Sequence, residues 1–221
     1  MNTQLLVFDL DGTLIDTMGD YADKAAALIF EHYGTPWDEA RRRYFETSGL
    51  PFEQQLEQMF PQEPCNTEVA QMFESWKDGY LANVTLSSEK EQLLRGWRNA
   101  GFRIAISSNN LEPYVQRLAT YWPVDVALGY RAKDGFGKGE PHFQKLEEHF
   151  GFSREQMLFI GDSPNDARIA AQSKVPFWAL LTSEFAEADF TQYSPGVKCI
   201  ARLRDLNASL HDGGLTRVTA S

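Results

Sequence analysis

Short apolar runs of strand type recur along the chain at Gln4–Phe8, Phe102–Ile106, Val124–Leu128, Met157–Ile160 and Phe177–Leu181, each closed by polar turn residues. Amphipathic segments such as Glu112–Tyr121 and Phe143–Phe150 fill the gaps between the later runs. This β-α alternation is the signature of a parallel sheet wrapped by helices, so the expected fold class is α/β with a doubly wound, Rossmann-like parallel-sheet core. Residues from about Asp16 to Val84 break the rhythm, carrying helical patterns over Tyr21–Tyr33, Asp38–Thr47, Phe52–Phe60 and Thr67–Leu81 and no convincing strand. They read as an all-helical insertion between the first and second core strands. The expected boundaries are 1–16 with 85–221 for the core and 17–84 for the insertion. There is no internal repeat, and the polar, weakly patterned tail after Asp205 reads as a last helix fraying into disorder.

Composition narrows the class. The chain has 221 residues, 43% of them apolar, which is enough for a real core and excludes collagen-like and disordered classes. Its 21 basic residues against 31 acidic ones give a net charge of −10, and that field repels polyanions, so no nucleic acid partner is expected. Cys65 and Cys199 stand far apart with no C-x-x-C pair, which argues for reduced thiols and against a structural zinc site. The apolar run at the N-terminus is too short for a signal peptide and lacks its basic front. No segment reaches the roughly 20 apolar residues of a membrane helix. A cytoplasmic protein with no membrane partner, monomeric or homodimeric, is the expectation.

Chemistry-bearing residues cluster just after the strand-like runs. Asp9-Leu10-Asp11-Gly12-Thr13 sets two carboxylates two residues apart outside the carboxyl edge of the sheet, where open α/β sheets hold their ligands. In strand geometry residues i and i+2 face the same way, and Gly12 permits a tight turn immediately afterwards. An isolated Asp-Gly is commonly only a turn, but four specified residues in D-x-D-G-T rarely coincide by chance. Ser107 ends the run Phe102–Ile106 and is followed by Ser108, Asn109 and Asn110; these residues could cap the next helix or form an anion site of hydroxyls and free N–H groups. Lys138 lies in the glycine-rich loop Gly135–Gly139, able to neutralise carboxylate and phosphate charge together, with Lys133 as its rival. Gly161-Asp162-Ser163-Pro164-Asn165-Asp166 follows the run Met157–Ile160 and adds two carboxylates four apart, hard oxygen ligands suited to Mg²⁺. Acids at a helix N-terminus would explain one of them, but not easily both.

The order D-x-D-G-T, strand-end Ser, Lys, then G-D-x-x-x-D resembles the haloacid dehalogenase superfamily of phosphotransferases over essentially the whole chain. The helical insertion looks like that family's helical cap, as in its phosphoglycolate phosphatase and β-phosphoglucomutase relatives. The resemblance implies that Asp9 is a nucleophile forming an aspartyl phosphate and that Asp11 is the general acid/base. It implies further that Ser107, Ser108 and Lys138 hold the phosphoryl oxygens. Mg²⁺ would lie between Asp9, Asp162 and the backbone carbonyl of Asp11, with Asp166 in support. This chain reads Lys138-Gly139-Glu140-Pro141 where many cap-bearing relatives read K-P-x-P, so Lys133 stays open beside Lys138. Dehalogenases of the superfamily lack the second aspartate, so Asp11 argues against that activity.

The expected function is a Mg²⁺-dependent phosphatase acting on a small phosphorylated metabolite, since phosphoryl transfer asks mainly for positioning and charge neutralisation. A phosphomutase of the β-phosphoglucomutase kind would use the same residues. A signalling receiver domain combines similar groups, but it presents its acidic pair before the acceptor and has no large helical insertion. Within the insertion, the turn Thr47–Phe52 and the run Arg41–Arg43 are candidates for substrate contact. Three consecutive helical positions spread over about 200°, so at most one or two of those arginines could face one ligand.

Overall fold

Leu5–Phe8 (β1) is an unbroken apolar run whose residues are all buried, as expected for a central strand of a parallel sheet with helices on both faces. The computed structural model describes residues 3–212 and pairs β1 in parallel with Arg103–Leu111 (β2) on one side and Met157–Gly161 (β4) on the other. Val126–Tyr130 (β3) extends the sheet beyond β2, while Phe177–Leu180 (β5) and Lys198–Ile200 (β6) extend it beyond β4. The resulting order is β3-β2-β1-β4-β5-β6, all parallel. The doubly wound α/β core expected from the sequence is therefore present. Packed on one side of it are Phe143, Phe159, Phe177 and Phe190, an aromatic column whose successive ring centroids lie 5.4, 5.6 and 6.4 Å apart.

The chain divides into two compact units, one built from the segments ending at Leu14 and starting at Leu86, the other being Ile15–Thr85. The second unit is wholly helical: Met18–Tyr33 (α1), Trp37–Glu46 (α2), Phe52–Met59 (α3) and Asn66–Leu81 (α4). Its core is aromatic, with Phe52 and Phe73 at 4.2 Å between centroids and Tyr21 edge-on to Phe73 at 5.9 Å. In the sheet unit the helices are Ser88–Asn99 (α5), Glu112–Ala119 (α6), Glu140–Phe150 (α7), Pro164–Gln172 (α8), Glu187–Thr191 (α9) and Leu206–Asp212 (α10). Of the tail read as a fraying helix, α10 is seen, and residues 213–221 lie outside the described residues. No helix among the described residues is long and apolar enough to cross a membrane.

Two readings of the sequence are corrected. The third strand starts at Val126 rather than Val124, because Asp125 is used before it: its carboxylate accepts the Ile104 N–H at 2.8 Å and its own N–H donates to Ile104 O at 2.8 Å. The expected second strand runs on past Ile106 to Leu111, so Ser107 lies inside β2 rather than in a loop after it. The β2–β3 register shifts between Ser107 and Leu111, and that irregularity lets the polar stretch stay in strand while it turns toward α6.

Candidate active site

The sheet order reverses between β1 and β4, since the chain winds outward through β2 and β3 and then crosses to β4 on the other side. In doubly wound folds a crevice opens at that reversal, outside the carboxyl ends of the strands. Asp9 leaves β1 there, its N–H donating to Ile160 O at 2.9 Å, and Asp162 leaves β4 directly beside it. Asp9 is 6% exposed and Asp162 3%. Both follow their strands, so strand alternation does not account for where Asp9 and Asp11 stand. The turn at Gly12 does, with φ +75°, and a Cβ on Gly12 would come within 2.1 Å of Asp162 Oδ2. Thr13 then donates its hydroxyl to Asp162 Oδ1 at 3.1 Å.

Asp166 completes the acidic group and divides its two oxygens. Oδ2 accepts the Ser163 hydroxyl at 2.7 Å and the Ser163 N–H at 3.1 Å, forming a capping box at the head of α8. Oδ1 accepts Lys138 Nζ at 2.8 Å. The same ammonium lies 2.7 Å from Asp9 Oδ1, with only 2% of the lysine side chain exposed. Lys133, the other candidate, is exposed on the surface loop. The Lys138 backbone is fixed as well, its N–H donating to Asn109 Oδ1 at 2.9 Å. Ligand oxygens of Asp9, Asp162 and Asp166 lie within 4.8 Å of one another.

Asp11 is half-buried and stands apart from that group, with Oδ2 accepting Asn110 Nδ2 at 2.5 Å. Ser108 is buried, and its Oγ accepts the Asn110 N–H at 3.0 Å. Ser107 is fully buried, with Oγ 2.9 Å from Nδ1 of the buried His142. The structure thus brings Asp9, Asp162 and Asp166 together, with Lys138 against Asp9 and Asp166, and sets Asp11, Ser107 and Ser108 on the neighbouring segments. Sequence reading left out the supporting residues Asn109, Asn110, Thr13, Ser163 and His142. Thr13, Ser163, Asn109 and Asn110 were within the motifs and runs it quoted, whereas His142 carried no signal.

Burial pushes the Asp9 carboxyl up to about 7, with Asp166 and Asp11 adding to the rise and Lys138 opposing it. Burial likewise raises Asp162 well above the ordinary carboxyl range, reinforced by Asp9 and Asp166. For Lys138 burial works against the charge, but the Asp166 and Asp9 carboxylates outweigh it and hold the ammonium above its usual value. Three carboxylates around one ammonium carry a net −2 when all are ionised, a surplus that one divalent cation would cancel.

In the insertion unit, Arg41 pairs with Asp23, Arg42 with Glu39 and Glu46, and Arg43 with Glu39. The turn after them is tied by the buried Gln55, which accepts from Thr47 Oγ1 at 3.1 Å and donates to Leu50 O at 2.9 Å.

Residues 6–180 match the haloacid dehalogenase-like hydrolase family. The chain is 26% identical over 193 residues to a phosphoglycolate phosphatase of Mesorhizobium japonicum, covering 81% of this chain and 83% of that protein. It is 28% identical over 181 residues to a phosphoglycolate phosphatase of Haemophilus influenzae, covering 75% and 81%. Among solved structures, a haloacid dehalogenase-like hydrolase from Streptococcus pneumoniae superposes with a TM-score of 0.76 at 20% identity, covering 94% of this chain and 99% of that one. A hydrolase from Pseudomonas syringae gives 0.77 at 16% identity, covering 95% and 98%. With the family match spanning most of the sequence, the chain belongs to the haloacid dehalogenase-like hydrolase family.

Proposed function

We propose that this hydrolase is a Mg²⁺-dependent phosphatase that cleaves a small phosphorylated metabolite through a phosphoenzyme on Asp9. The observation that carries the reading is the buried ammonium of Lys138 set between Asp9 and Asp166 at the sheet's reversal point, with Asp162 alongside. Asp9, Asp162, Asp166 and the backbone carbonyl of Asp11 would hold the cation. Once bound, it neutralises charge on the transferring oxygens and keeps Asp9 ionised.

An Asp9 carboxylate oxygen attacks phosphorus, and the ester P–O bond breaks as the leaving oxygen takes a proton from Asp11. Water then attacks the phosphoaspartate while Asp11 accepts its proton, and the Asp9–phosphorus linkage breaks to release phosphate. Lys138, which the field keeps charged, and Ser108 are the groups available to the phosphoryl oxygens, with Ser107 beside them hydrogen-bonded to His142. We assign the Ile15–Thr85 unit to the role of the family's helical cap. Hydrolysis is favoured over a mutase reaction because Arg41, Arg42 and Arg43, the residues that could have held a second phosphate, are each paired with carboxylates of their own unit.

A screen of phosphorylated metabolites with and without Mg²⁺, including the phosphoglycolate in the names of the curated relatives, tests the reading. Free phosphate should appear only with the cation, and ¹⁸O from labelled water should enter it. Activity that survives excess chelator, or phosphate that moves to another hydroxyl of a sugar phosphate without release, would overturn it.

A further inference from the structure

His142 is the one fully buried histidine among the described residues, and the chemistry above makes no use of it. It is the third residue of α7, four positions beyond Lys138. Its ring makes two hydrogen bonds to two different strands. Nε2 lies 3.2 Å from the carbonyl oxygen of Gly129 on β3, and Nδ1 lies 2.9 Å from Ser107 Oγ on β2.

These contacts fix every proton. A carbonyl oxygen only accepts, so Nε2 must carry the hydrogen. Burial keeps the ring neutral, with Lys138 and Arg131 nearby adding to that effect, so Nδ1 is bare and accepts. The Ser107 hydroxyl therefore donates to His142, and its proton is committed away from the crevice. Ser108 differs: its oxygen accepts from the Asn110 N–H, which leaves its own proton to donate. Gly129 is needed for the same junction, because a Cβ there would lie 2.4 Å from Glu112 Cα. Lys138 and the helix that follows it are thus pinned at two points, by Asn109 at the lysine N–H and by His142 in the first turn of α7.

We infer that His142 is a positioning residue of this site: its neutral imidazole bolts the first turn of α7 to β2 and β3, orienting Ser107 and holding Lys138 against Asp9. The catalytic consequence rests on the phosphatase reading, whereas the hydrogen-bonded lock does not. A misplaced Lys138 would still leave a folded protein that binds substrate, so the defect belongs in kcat more than in KM.

Four variants, His142→Leu, His142→Asn, Ser107→Ala and the His142→Leu/Ser107→Ala double, are compared with Mg²⁺ and p-nitrophenyl phosphate or the best substrate of the screen. His142→Leu should lower kcat by about tenfold or more while KM moves by less than about threefold. His142→Asn, which keeps an acceptor near the Nδ1 position, should restore most of the loss, and the double variant should be no slower than His142→Leu alone. A wild-type kcat in folded His142→Leu, with only a lower Tm, would overturn the inference. ¹⁵N spectra of the wild-type imidazole read the lock without any activity. They should show the neutral Nε2–H form from about pH 8 to pH 5, and an Nδ1–H form or a ring that titrates near its ordinary value would overturn the inference even in an active enzyme. Wild-type protein with no phosphatase activity and the expected ¹⁵N signature would refute the proposed function and leave the lock standing.

Discussion

Asn110 donates from Nδ2 to Asp11 Oδ2 at 2.5 Å, so the carboxylate proposed to shuttle protons is aimed by the β2 segment and not by its own strand. Its neighbour Asn109 faces the other way and holds the Lys138 N–H at 2.9 Å. Consecutive amides therefore serve the acid/base group and the backbone that carries Lys138 separately. Asn110→Ala should reduce kcat by about tenfold, part of the 10² to 10⁴ that acid/base catalysis typically contributes, because Asp11 keeps its chemistry but loses its orientation. Steady-state kinetics on the folded variant check this, and an unchanged kcat would remove Asn110 from the account.

Asp9→Asn separates chemistry from stability. Asparagine is nearly isosteric but cannot attack phosphorus, so turnover should fall by at least about 10⁴. The same change removes a carboxyl that burial has pushed up to about 7, and so relieves repulsion among the acids. Metal-free Asp9→Asn should accordingly melt no lower than the metal-free wild type at pH 8. Substantial turnover, or aluminium fluoride trapped on a different residue, would reject Asp9 as the nucleophile.

The fold was largely legible because β1, β4 and β5 are unbroken apolar runs, the pattern a doubly covered parallel strand imposes. β6 was not, since Lys198-Cys199-Ile200 is a three-residue edge strand whose burial comes from its neighbours and not from its own sequence. Asp9, Lys138, Asp162 and Asp166 were legible because each follows a strand or opens a helix, and the sheet order brings those points together. For Asp166 the helix-terminus explanation holds through one oxygen, which caps α8, while the other meets Lys138. His142 was hidden, and Asn109 and Asn110 were visible only as a possible cap or anion loop, not by what they hold. Their partners are 35, 29 and 99 positions away, and no local pattern encodes a contact of that range.

Gly12 is a steric requirement of the acidic group. At φ +75° an added Cβ would sit 2.1 Å from Asp162 Oδ2 and 2.6 Å from its Cγ, both at the buried end of a carboxylate already held by Thr13. Gly12→Ala must move Asp162 or the turn, and it also places a side chain at a positive φ. It should cost about 1–3 kcal/mol of stability. It should also weaken Mg²⁺ binding more than Gly135→Ala does, since Gly135 has φ +66° but open space around its Cα. Thermal melts and metal titrations of the pair separate backbone strain, common to both, from displacement of Asp162. Equal metal affinities would show that the close approach does not matter for the cation.

The raised Asp9 and Asp162 carboxyls set the sign of a pH effect on the metal-free protein. Asp9 titrates at its ordinary 3.8 when unfolded and at about 7 when folded, so between those values the folded state holds a proton that the unfolded chain has lost. Stability must therefore fall as pH rises from about 4 through 7, with the full loss in place above 7, and Asp162 acts in the same direction. His142 works from the other side: burial lowers it from 6.5 to about 3, so its contribution is present above 6.5 and is lost as pH falls through that window. Without a cation the melting temperature should peak in mildly acid solution and decline toward pH 8. A bound divalent cation takes the place of the Asp9 proton, so Mg²⁺ should raise Tm at pH 8 far more than at pH 5 and release protons when added near pH 6. Melting curves at about pH 5, 6, 7 and 8, each with EDTA or with excess Mg²⁺, decide the matter. A metal-free Tm that climbs steadily to pH 8, or a Mg²⁺ increment independent of pH, would mean that Asp9 is already ionised without the metal and that no proton is exchanged for the cation.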